Sequence, residues 1–161
     1  MFVCRRGTLF ALALSLVLLL SCSFALSAAS AAAVPANAPC IVLDAGHGGV
    51  DPGVVGRTTG EKESDVNLKI VQKLQKLFSD AGFCVVLTRK NAGGLYGLPT
   101  KGYKRRDMEE RRRIIREAEP DFVLSVHQNT FPADTSRRGG PVFFREGSAA
   151  GEALAVSIPA R

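Results

Sequence analysis

Three short runs of apolar residues constrain this chain more than any other feature: Ile41-Val42-Leu43, Val85-Val86-Leu87 and Phe122-Val123-Leu124-Ser125-Val126. They are uncharged, rich in branched side chains and too short for helices, so they read as buried strands. Between the first two, Val66, Ile70, Leu74, Leu77 and Ala81 recur at three- and four-residue steps and predict one apolar helical stripe. Ser64 or Asp65 suits the start of that helix as a cap, and Gly82 suits its end. Strand, helix, strand in this order implies a right-handed crossover and parallel pairing. A second helix is predicted over about Arg105 to Ala118, heavily charged, with Met108, Ile114, Ile115 and Ala118 as its apolar contacts and Pro120 as its stop. A short strand at Val142 to Phe144 and a last helix from Gly147 to Ile158, with Ala153, Leu154 and Ile158 inward, complete the pattern. The expected class is α/β: a single domain with a mainly parallel sheet and helices on both faces.

In open parallel sheets ligands collect beyond the carboxyl ends of the strands. The chain has 2 histidines, His47 and His127, and each follows a predicted strand at that end. A lone histidine is more often structural than a ligand, but two at one sheet edge point to a shared site. Two imidazoles and a carboxylate form a zinc-binding set that leaves a fourth position for water, and the metal lowers the pKa of that water. Glu61, Glu63 and Asp65 lie where the glycine-rich loop after Leu43 meets the first helix, and Asp44 and Asp51 are further candidates by proximity. Spacing alone does not choose among them, since acids are also favoured in a helix's first turn for reasons unrelated to metal.

The first 33 residues have the three parts of an export signal. Arg5 and Arg6 give a positive start, Thr8 to Leu20 is apolar and uncharged, and small residues run from Ser21 to Ala33. Several cleavage points fit. Leu19-Leu20-Ser21-Cys22 loosely resembles a lipobox, in which Cys22 would be lipidated, and an uncleaved anchor is a further alternative. Residues 34–39 then read as a linker and residues 40–161 as the domain. Two of the 21 basic residues lie in the signal, which leaves 19 against 15 acidic ones. So modest an excess suits an anionic surface or polymer and does not argue for nucleic acid. Export implies a compartment that permits disulfides. Cys40 and Cys84, outside the signal, each border an apolar run and read as two buried small side chains, with a disulfide between them as the alternative.

Several spaced motifs agree at once. Val42-Leu43-Asp44-Ala45-Gly46-His47-Gly48-Gly49, Asp51-Pro52-Gly53, Glu63-Ser64-Asp65-Val66-Asn67-Leu68, Leu87-Thr88-Arg89 and Ser125-Val126-His127-Gln128-Asn129 follow in this order. Together they resemble the zinc-dependent, AmiC-like N-acetylmuramoyl-L-alanine amidases (the amidase 3 family), from about Ile41 to Phe144. Lys101 to Arg106 and Gly140 to Phe144 further resemble the germination-specific, CwlD-like branch. The resemblance implies Zn2+ held by His47, Glu63 and His127, with Ser64 standing where the family has Lys. It suggests a site-shaping, substrate-binding place for Asn129, and a packing or ion-pair role for Arg111. The implied reaction is hydrolysis of the amide between N-acetylmuramic acid and L-alanine in peptidoglycan, outside the cell, in the wall or the spore envelope, where an activating protein partner is an open question.

The family's proton-transferring Glu lies on a strand after the helix that begins near Gly147, beyond Arg161, so the resemblance assigns no catalytic residue to this chain. The domain is thus expected to be incomplete at its C-terminus, with a sheet edge or face left uncovered, and to hydrolyse poorly. The lost acid–base help is worth roughly 10²–10⁴ in rate. A zinc-containing module that binds peptidoglycan without cutting it is the alternative reading.

Overall fold

The computed structural model describes residues 14–19, 37–131, 133–134, 136 and 139–158. Most of the predicted signal, including Cys4 and Cys22, lies outside the described residues. Residues 14–19 are helical and exposed. No helix among the described residues is long and apolar enough to cross a membrane.

The three apolar runs form the predicted strands: β1 (Cys40–Ala45), β2 (Cys84–Leu87) and β3 (Phe122–Val126). They pair in the order β2-β1-β3, all parallel. Connecting them are α1 (Glu63–Asp80) and α2 (Tyr103–Ala118), followed by α3 (Ala149–Ser157). Because side chains alternate along a strand, β1 sends Ile41, Leu43 and Ala45 to one face and Val42 and Asp44 to the other. The first face packs on α1 through Val71, with Leu68, Leu74, Phe78, Val85, Leu124 and Val126 around it. The second lies under α2, whose Arg111 reaches Asp44. The class is the expected α/β fold with helices on both faces of a parallel sheet.

The buried stripe of α1 differs from the predicted one. Glu63, Ser64, Asn67 and Val71 are buried and Phe78 joins the core, whereas Leu77 is 64% exposed. The helix is turned by about one residue because its first two turns carry polar anchors. Asn67 donates to the Gly46 carbonyl, and the Ser64 carbonyl accepts from Arg89. The cap also differs. Lys62 holds the N-cap place and makes no side-chain bond. The Glu63 and Ser64 amides donate instead to the carbonyls of Val54 (2.8 Å) and Pro52 (3.0 Å), so loop backbone satisfies donors that a side chain often serves.

Val142 to Phe144 is not a strand. Among the described residues no ladder partner pairs with it, and Phe143 is 80% exposed; a strand needs a partner for its ladder hydrogen bonds. α3 begins as predicted with a serine cap, Ser148 accepting from the Gly151 amide, but buries none of its residues, so the inward places expected for Ala153, Leu154 and Ile158 are not realised. Among the described residues β3 pairs on one side only, and its Val123 is 45% exposed. Cys40 and Cys84 are both free thiols, half-buried rather than fully buried.

Leu43 is fully buried at the centre of the main cluster. Leu43→Ala should therefore lower unfolding stability by about 2–5 kcal/mol, measured as a drop in the urea midpoint without a large change in slope.

Candidate metal centre

At the carboxyl end of β1 the backbone leaves the sheet through Gly46 and reaches His47 in a left-handed conformation, φ 62°. That geometry is costly for a residue with a Cβ, and two arginines hold it. Arg111, from α2, donates to the carbonyls of Ala45 (2.9 Å) and His47 (2.8 Å). Arg89, two residues beyond β2, donates to the carbonyls of Ala45 (3.0 Å), Gly46 (3.2 Å) and Ser64. Both guanidinium groups are buried. Arg111 is neutralised by Asp44 and Asp107; Asp44 also accepts from Thr88 (2.7 Å) and Ser125 (2.6 Å). Burial alone would raise the pKa of Asp44, but the Arg111 charge and the Ser125, Thr88 and Arg111 hydrogen bonds outweigh it and hold the carboxyl below its usual range. The packing or ion-pair role expected of Arg111 is accompanied by a direct hold on the backbone of His47.

His47, from the end of β1, meets Glu63, from the first turn of α1, and His127, from the end of β3. The His47 Nε2 lies 3.2 Å and the His127 Nδ1 3.0 Å from the Glu63 Oε1. The imidazoles meet edge to face with centroids 4.9 Å apart. One ligand atom from each residue lies within 4.8 Å of the others. Tetrahedral zinc with bonds of about 2.0–2.2 Å places neighbouring ligand atoms roughly 3.3–3.5 Å apart, so this donor set suits such an ion. Glu63 is 4% exposed and His127 43%, which leaves an open side through which a substrate can enter.

The carboxylate is prepared for its role by backbone. Burial pushes the Glu63 pKa up, but the amides of Val54 (2.8 Å) and Gln128 (2.9 Å), with His127 and the His47 charge, bring it below the usual value. Glu63 is therefore an anion at neutral pH. Of the other carboxylates, Glu61 is exposed, Asp44 is committed to Arg111, and Asp65 is not in the cluster. Asp51 stands behind His47, its Oδ2 accepting from the Nδ1 of that ring at 3.1 Å. Burial opposes ionisation of Asp51, while the His47 hydrogen bond, the Gly53 amide and the charges of His47 and Lys104 lower its pKa. A carboxylate on the far nitrogen of a metal-binding imidazole fixes its tautomer and orientation.

Two glycines make room for the three side chains. A Cβ at Gly46 would stand 2.3 Å from the His127 ring, and one at Gly53 2.6 Å from Glu63 and 2.7 Å from His47. Asn67, Arg89, Arg111 and Gly53 all serve the site without pointing an atom at a metal, and residue spacing gave no sign of this. Asn129 is exposed two residues beyond His127, and among the described residues its side chain makes no hydrogen bond to the cluster. A cavity of about 300 Å³ opens beside His47 and His127, lined also by Tyr96, Tyr103, Lys104 and Met108.

Two imidazoles and a buried, ionised carboxylate at the carboxyl rim of a parallel α/β sheet define a metal-binding site of the zinc hydrolase class. The family profile described as N-acetylmuramoyl-L-alanine amidase (amidase 3) matches residues 41–161, and the chain belongs to that family. It is 36% identical over 99 residues to a putative N-acetylmuramoyl-L-alanine amidase of Buchnera aphidicola, covering 61% of this chain and 35% of that protein. It is 35% identical over 103 residues to the germination-specific N-acetylmuramoyl-L-alanine amidase of Bacillus subtilis, covering 62% and 43%. The chain thus spans less than half the length of these two relatives. Among solved structures, the CwlD amidase of Clostridioides difficile in complex with the GerS lipoprotein superposes with a TM-score of 0.67 at 30% identity, covering 73% of this chain and 61% of that one.

Asp51→Asn should weaken zinc affinity about 10–100-fold in a chelator competition while leaving the far-UV spectrum unchanged. The Asp44 pKa is lower in the folded protein than its ordinary 3.8, so its pairing stabilises the fold above that pH and is lost as pH falls through the lowered value. The thermal midpoint should accordingly drop in acid, and less steeply in Asp44→Asn, which starts lower.

Proposed function

We propose that this chain carries the metal-binding part of an exported amidase that hydrolyses the bond between N-acetylmuramic acid and L-alanine in peptidoglycan. The single observation that carries the reading is the convergence of His47, Glu63 and His127 on one point in a chain that belongs to this amidase family. A zinc ion held there supplies a Lewis acid and an activated water. The chain's own contribution is to hold the donors: Glu63 as a buried anion, His47 oriented by Asp51, His127 placed against the hydrogen of Gly46. Asn129, exposed beyond His127, is proposed to meet the substrate. No residue of this chain is assigned the proton transfer to the leaving amine.

The pattern of charge and apolarity in the first 33 residues supports export, with the domain beginning near Cys40. The likeness of Lys101 to Arg106 and Gly140 to Phe144 to the germination-specific branch, with the 35% identity to the Bacillus subtilis protein, supports spore-cortex peptidoglycan as the substrate. The Clostridioides difficile relative was solved with a lipoprotein, which makes a lipoprotein the partner to try as activator.

Purified peptidoglycan incubated with the chain and zinc should release stem peptides that begin at L-alanine, slowly because no residue is assigned the proton transfer, detected by mass spectrometry. Release should fall by at least about 10²-fold in His127→Ala or after chelation. Zinc-dependent binding to peptidoglycan with no such peptides, even with the lipoprotein added, would replace hydrolysis by recognition alone.

A further inference from the structure

Cys40 and Cys84 are the first residues of β1 and β2 and stand directly opposite each other in the parallel ladder. Neighbouring strands run about 4.7–4.9 Å apart, inside the 4.4–6.8 Å that separates the Cα atoms of bridged cysteines. Facing residues of a parallel ladder project from the same side of the sheet, here the side covered by α2: the Cys40 Sγ lies 3.8 Å from the Ala118 carbonyl, at the end of that helix. Cys84 is a hydrogen-bonding neighbour of the Cys40 thiol; burial first, then that contact, raises the Cys40 pKa. A thiol so placed is a poor nucleophile toward substrate and a poor metal ligand. Both cysteines lie at the amino ends of their strands, away from the metal centre at the carboxyl ends. The Cys84 amide donates to the Pro39 carbonyl (2.9 Å) and the Cys40 carbonyl accepts from the Asp121 amide (2.9 Å), so backbone hydrogen bonds hold the pair in register.

We propose that Cys40 and Cys84 form a disulfide that clasps β1 to β2 at the end of the sheet opposite the metal centre. The proposal rests on the exported reading for the oxidising compartment in which the bond forms. The oxidant is a disulfide, such as glutathione disulfide. One cysteine thiolate attacks it, forming a mixed disulfide and expelling one glutathione thiolate. The second cysteine, deprotonated, then attacks the mixed disulfide, forming the Cys40–Cys84 bond and expelling the other glutathione. The protein loses two protons and two electrons, and the oxidant becomes two thiols. The closed loop runs from residue 40 to residue 84 and contains two of the three metal-centre residues, His47 and Glu63. The bond would thus limit how far the unfolded chain can separate them.

The test uses the full chain in three forms: oxidised with glutathione disulfide, the same after reductant, and Cys84→Ser. Digestion without reductant should give a joined Cys40–Cys84 peptide pair two hydrogen masses below the free pair. Reductant should lower the thermal midpoint by on the order of 10 °C, with zinc affinity unchanged, and should have no effect on Cys84→Ser. Alkylation of both Cys40 and Cys84 after oxidation, or a bond from either residue to Cys4, Cys22 or a second molecule, would overturn the proposal. A bond that forms with glutathione disulfide but is absent from protein recovered from the native host would support the clasp and count against export. Absence in both would count against the clasp itself.

Discussion

The metal centre depends on a pair of buried arginines gathered around the last carbonyls of β1. Arg111 and Arg89 between them take the carbonyls of Ala45, Gly46 and His47. Side chains from α2 and from the chain after β2 serve those oxygens, and a buried unsatisfied carbonyl costs about 1–3 kcal/mol. Satisfying them with cations stabilises the turn that carries His47 into its left-handed conformation. The cations in turn require anions: Asp44 and Asp107 for Arg111. Asp44 sits on β1 itself, one and three residues before the Ala45 and His47 carbonyls that its partner holds. The strand therefore supplies both the counter-charge and the oxygens, and α2 is locked to the sheet by the same contacts.

The same economy recurs at Glu63. Its carboxylate lies at the start of α1, where backbone amides have no partner within the helix, and it accepts from Val54 and from Gln128. The first amide belongs to the loop after β1 and the second to the chain after β3. One carboxyl group thus ties together the three segments from which the donors come, before any ion is bound. Removing one partner from such a network leaves charge in a place with little water, the condition under which buried pairs cost most.

Much of this was legible in the residues, and what was not has a common cause. The strands were visible because burial on both sides leaves a continuous apolar run, as in Ile41 to Leu43. His47 and His127 stood out by position, but Glu63 was separated from Glu61, Asp65, Asp44 and Asp51 by family likeness, since all five fit the spacing. The rotation of α1 was missed because an apolar stripe ignores polar anchors: Asn67 is buried for the Gly46 carbonyl, and it carries Val71 and Phe78 inward in place of Ile70 and Leu77. Arg111 was expected only to pack or to form an ion pair, because its β1-end partners Asp44 and His47 are 67 and 64 residues away. Val142 to Phe144 has the composition of a strand, yet a strand exists only by pairing.

The glycines of the loop carry a further consequence. Gly46 and Gly53 are required because hydrogen is the only substituent that the imidazoles and Glu63 leave room for. Glycine also gives the unfolded chain its greatest freedom, so fixing this loop sacrifices more conformational entropy than fixing most others. The most constrained point of the folded molecule is thus written in its least constrained residues. The arginine hold and the bound ion have to offset that loss, which makes order in this loop a sensitive gauge of whether both are in place.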